Sequence, residues 1–136
     1  MTLVEFLLAR IVEDEAVARS ATPGPWLALD GGVRTEAVND DGNPTSWPVD
    51  STETRPDRVH IAHFDPVRVL AESEVKRRIL GLHTPGEVPA GSEYMTEDCW
   101  TCGDGDYNAV KHPCKTLRLL ALPYVSHPEY RSEWRP

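Results

Sequence analysis

The chain has 136 residues and a formal charge of −8, with 22 acidic side chains against 14 basic ones. That length suits a single domain, 1–136, with a modest core, and the acidic excess disfavours nucleic acid, whose backbone is gripped by clustered Lys and Arg. Twelve prolines predict a large share of ordered loop, and no run approaches the roughly 18 uncharged residues of a membrane span, so a soluble protein with no membrane partner is expected.

The first element is a helix. Thr2 and Glu5 have the spacing of a capping box, and Leu3, Phe6, Leu7, Ile11, Ala16 and Val17 follow at helical intervals. Thr22-Pro23-Gly24-Pro25 ends it near Ala21, because proline lacks a donor and disfavours helical geometry in the residue before it. Trp26-Leu27-Ala28-Leu29 and Val33 to Val38 flank Asp30-Gly31-Gly32, which reads as a β-hairpin with a three-residue turn. Residues 39–58 are rich in Asp, Asn, Gly, Pro, Ser and Thr, with Trp47 and Val49 as apolar anchors, and read as a flexible surface loop.

A second long helix starts at Asp65-Pro66, an N-cap carboxylate followed by a ring already set at the helical φ. Val67, Leu70, Ala71, Val75, Ile79 and Leu82 form its apolar stripe, and Thr84-Pro85-Gly86 stops it after His83. A short third helix runs from Lys115 to about Leu122, where Pro123 breaks it. Tyr124, Tyr130 and Trp134 are placed to pin the tail onto the body. The fold class is therefore α+β: two longer helices, a small β-hairpin, and a C-terminal zinc-knuckle loop with a short helix.

That loop, 84–114, holds all three cysteines, as Cys99-Trp100-Thr101-Cys102-Gly103 and His112-Pro113-Cys114. Two thiolates three positions apart can curl round one ion, and a third at the first turn of a helix is favoured by the helix dipole. Cys99, Cys102 and Cys114 are thus the expected ligands of a structural Zn2+. Alternate residues of an extended segment project to the same side, which makes His112 the first choice for the fourth ligand. His83, at the end of the second helix, is the alternative. Three cysteines cannot all pair with one another, and the charged stretch Met1 to Ser20 does not resemble a secretion signal, so a reducing cytoplasm is expected.

The leading functional expectation is a non-enzymatic module that binds another protein through its acidic surface and exposed aromatics. A metal-dependent hydrolase would keep an open zinc position, and a thiol oxidoreductase would use Cys99 and Cys102 as an exchanging pair. No serine nucleophile elbow, phosphate-binding glycine loop or His-Glu-x-x-His helix is present. No catalytic residue is therefore assigned.

Phe6-Leu7 through Glu13-Asp14-Glu15, Pro23-Gly24-Pro25-Trp26, His60-Ile61-Ala62 and the entry Ala62 to Pro66, then Pro113 to Arg118 and Leu122 to Pro136, form a distinctive set of motifs. On these the chain resembles the domain of unknown function 6221 family, an uncharacterised family of actinobacteria and their phages. The resemblance implies a metal that supports the fold within a subgroup, and it places any shared surface function on Glu13 to Glu15, Trp26, His60, Arg68, His127 and Tyr130. Phe64 departs from the His or Trp of relatives before Asp-Pro, which removes a polar role there.

Overall fold

In the computed structural model, residues 1–38, 40–42, 44–45, 48–50, 54–85, 98–103 and 110–136 are described. Helix α1, Leu3–Ser20, starts on the capping box: Thr2 N–H donates to Glu5 Oε2 (2.7 Å) and Glu5 N–H to Thr2 Oγ1 (3.2 Å). The backbone N–H and hydroxyl of Thr2 hold the Glu5 carboxyl below its ordinary value. Two compact units divide the chain, one of residues 1–11 and 75–136, the other of residues 12–74. Helices α1 and α3 each contribute to both.

The first unit is built around Phe6, which is fully buried. Tyr124, His127 and Tyr130 meet it edge-on at 6.3, 5.6 and 6.1 Å, and Trp134 lies at 5.0 Å. Leu3, Leu7 and Ile11 of α1 share this core with Leu80, Leu117, Ala121, Cys99 and Cys114. The C-terminal aromatics therefore fasten the tail, as their spacing suggested. Helix α4 is Lys115–Ala121, and Pro123 lies in the 3₁₀ turn Leu122–Tyr124 that follows it.

In the second unit, β1 (Trp26–Leu29) pairs antiparallel with β2 (Gly32–Thr35), Leu29 opposite Gly32. The turn is therefore the two residues Asp30-Gly31, one fewer than expected. Gly31 takes φ of 95°, a left-handed conformation that glycine adopts without a Cβ clash. Strand β5 (Pro48–Asp50) extends this sheet from the other edge of β2 across a register shift, while β3 (Ala37–Val38) and β4 (Pro44–Thr45) form a small ladder of their own.

Helix α2, Arg55–His63, is the element absent from the sequence reading, and its first turn lies inside the 39–58 span read as loop. Thr54 caps it by accepting from Asp57 N–H, Pro56 occupies the first turn, and the helix packs on β1 and β2. It buries no residue, so it shows no apolar stripe.

Helix α3, Pro66–Leu82, begins on the expected cap, with Arg68 N–H donating to Asp65 Oδ1 (2.9 Å). The other carboxylate oxygen accepts Trp26 N–H (3.2 Å), so buried Asp65 ties the start of β1 to the start of α3. Gly24 is required beside it, since a Cβ there would stand 2.8 Å from Asp65 Oδ2. The predicted stripe of α3 is not its buried face. Val67, Val75 and Leu82 are all more than half exposed, while Ser73 and Leu80 are buried. Apolar residues occur on several faces of this helix, and its two ends serve different units, so no single stripe governs it.

Candidate metal centre

Three local structures bring the sulfurs together in the first unit. Strands β6 (Asp98–Cys99) and β7 (Val110–Lys111) pair with Cys99 opposite Val110, and the turn after β6 closes with Gly103 N–H donating to Trp100 O (3.1 Å). This turn presents Cys99 and Cys102 from one knuckle. Cys114 is the N-cap residue of α4, and its side chain makes no capping bond. His83 follows the last turn of α3, where its N–H donates to Ile79 O and Leu80 O. The Thr101 hydroxyl donates to Leu82 O and ties the knuckle to the end of α3.

The result is a group of four, His83, Cys99, Cys102 and Cys114, whose donor atoms all lie within 4.8 Å of one another and could hold a metal ion. Cys99 Sγ and Cys102 Sγ are each 3.3 Å from His83 Nδ1, and Cys114 Sγ is 3.5 Å from it. A ring nitrogen carries at most one hydrogen, so it cannot satisfy three sulfurs by hydrogen bonding. In a zinc tetrahedron with Zn–S near 2.3 Å and Zn–N near 2.0–2.1 Å, the N···S edge comes to about 3.5 Å. The three observed N···S distances match that edge.

The surroundings treat the sulfurs differently. Burial pushes the Cys99 thiol up to about 11, against the opposing pull of the Cys102 backbone N–H. The Thr116 hydroxyl, 3.5 Å from Cys102 Sγ, holds that thiol below its ordinary value. Thr116 was not singled out in the sequence, although its place two residues after Cys114, inside the first turn of α4, puts it within reach of the group.

His112, the first choice for the fourth position, is outside the group, and His83, one residue ahead of the 84–114 loop, is in it. The expectation assumed an extended run, but residues 112 and 113 form a bend leading into the cap of α4. His112 Nε2 is buried without a partner among the described residues, and the ring interacts with the His83 backbone. Burial pushes the His112 imidazole below its ordinary value. The residue thus supports the backbone of His83 without joining the group.

The surface residues of the resemblance fall in both units. His127 Nδ1 lies 3.0 Å from Arg10 Nη1 and also accepts from Glu129 N–H, while the buried Tyr130 hydroxyl finds no partner among the described residues. Both rings belong to the aromatic core of the first unit. In the second unit, His60 packs against Phe64 at 4.9 Å and the Arg68 guanidinium lies 4.4 Å above the same ring, held by Glu72 at 2.7 Å. Trp26 is fixed by its indole N–H donating to Thr22 O (2.8 Å). Among the described residues, no helix is long and apolar enough to cross a membrane.

A family model, that of a family of unknown function (DUF6221), matches residues 1–136. No curated protein and no solved structure matches the chain.

Proposed function

The chain belongs to the DUF6221 family, and because that membership carries no activity, we propose from the site itself that this is a zinc protein whose ion is structural and whose work is to bind another protein. The observation that supports this most is the convergence of three sulfurs on one imidazole nitrogen at tetrahedral edge lengths. His83 Nδ1, Cys99, Cys102 and Cys114 would hold the ion, and bound zinc would supply a fixed cross-link between α3, the knuckle and α4. Four protein donors fill a zinc tetrahedron, which favours a closed structural site over the open position of a hydrolase. A dithiol exchanger needs two sulfurs and leaves Cys114 and His83 without a role.

The acidic excess and the absence of enzyme motifs support a protein partner with a basic surface, met in the reducing cytoplasm where thiolates keep their metal. Elemental analysis of purified protein tests the metal reading, with one zinc per chain expected. Cys102→Ser and His83→Ala should each lose zinc, whereas His112→Ala should retain it. Retention of full zinc by both ligand variants would overturn the assignment.

A further inference from the structure

The second unit contains a half-open cavity of about 280 Å3, lined by Asp14, Val17, Ala18 and Ala21 of α1 and its end, by Trp26, and by Phe64, Pro66 and Val69 at the α2–α3 junction. Its volume is close to the roughly 300 Å3 lower bound of small-molecule sites. Both aromatic walls are fixed in advance. Trp26 is held by its indole bond to Thr22 O and its backbone bond to Asp65, and Phe64 by Arg68 above the ring and by His60 and His63 beside it. Asp14 is the one charged residue in the lining among the described residues. Asp14 makes contacts of its own, and a carboxylate can accept from more than one donor at once.

The electrostatics of the unit act in the same direction. Of the 22 acidic and 14 basic side chains, thirteen acidic and five basic ones fall within 12–74, leaving nine of each for the rest. The cavity therefore lies in the part of the chain that bears the whole net negative charge. Aromatic faces carry negative potential; Arg68 covers one face of Phe64, so the other face of that ring and Trp26, beside a carboxylate, are what a cation with an apolar surface can use, the character of an alkylated ammonium. A hydrated metal ion gains nothing from the apolar lining, and an anion is repelled by Asp14.

We propose that this cavity binds the head group of a small alkylated organic ammonium, stacked between Trp26 and Phe64 with its charge against Asp14. The proposal is independent of the metal centre. It is tested on the metal-loaded protein by NMR titration with choline and with 3,3-dimethyl-1-butanol, a neutral molecule of nearly the same shape. Choline should shift the Trp26 indole N–H resonance and the methyls of Val17 and Val69, with an affinity on the order of tenfold above that of the alcohol. Asp14→Asn should erase that preference while leaving the weak binding of the alcohol unchanged, and Trp26→Ala should weaken both. Equal affinity for the two molecules would overturn the proposal, as would choline shifts that Asp14→Asn does not reduce, or no shift at these residues in wild-type protein.

Discussion

The two units solve the problem of stability with different materials. Residues 1–11 and 75–136 bury Phe6, Leu3, Leu7, Ile11, Leu80, Leu117, Ala121 and Trp134 and gather four ligand side chains at one point. Among the described residues, 12–74 bury few apolar side chains, chiefly Val33 and Ala18, and carry polar ties such as Asp65, which serves two backbone donors at once. Apolar burial is worth about 25 cal/mol per Å2, so a unit with little of it leans on hydrogen bonds, each worth about 1 kcal/mol net. One unit is packed around a candidate metal centre, while the other is capped and bridged.

Chelation is the strongest way to break this comparison. Removing zinc from the proposed centre should withdraw on the order of 10 kcal/mol of apparent stability from the first unit. The signals of Leu117, Ala121 and Trp134 should collapse in an NMR spectrum while the cross-strand contacts of Trp26 with Thr35 persist. Loss of both sets together would show that the staple supports the whole chain.

Asp65→Ala is the matching test of the second unit. It removes the acceptor for Arg68 N–H and Trp26 N–H and should cost about 2 kcal/mol by denaturant unfolding, with zinc content unchanged. Asp65→Asn should recover part of the loss, because an amide oxygen still accepts one of the two bonds.

The smallest effect belongs to the capping box. Thr2→Ala should lower the melting midpoint slightly at neutral pH. The folded Glu5 carboxyl lies below its ordinary value of 4.5, so its stabilising contribution is present above that value and is lost as pH falls through the folded one. The difference between Thr2→Ala and wild type should therefore shrink as the pH falls below 4.5.

The sequence made both long-helix starts legible, because Thr2-x-x-Glu5 and Asp65-Pro66 place their cap atoms by local geometry alone. The cysteine grouping was legible for the same reason, since Cys99 and Cys102 share one turn and Cys114 heads a helix. What escaped depended on distant structure. Helix α2 buries nothing and carries no periodic stripe, so only Thr54, Pro56 and Asp57 announce it. The exposed stripe of α3, with Val67, Val75 and Leu82, has the right period on the wrong face, because period alone does not say which face meets a core. Local geometry favours His112 over His83, because alternate residues of an extended run would put it on the side of Cys114; His83 lies 16 residues from Cys99, and only the packing of the knuckle on the end of α3 closes that gap.

The central claim is that one zinc joins His83 to the three sulfurs. X-ray absorption at the zinc edge of protein purified without added metal tests it most directly. The account predicts one first shell of three sulfurs near 2.3 Å and one nitrogen near 2.0 Å, with the nitrogen lost in His83→Ala and kept in His112→Ala. A shell containing oxygen from water, or a folded protein that carries no zinc at all, would contradict it.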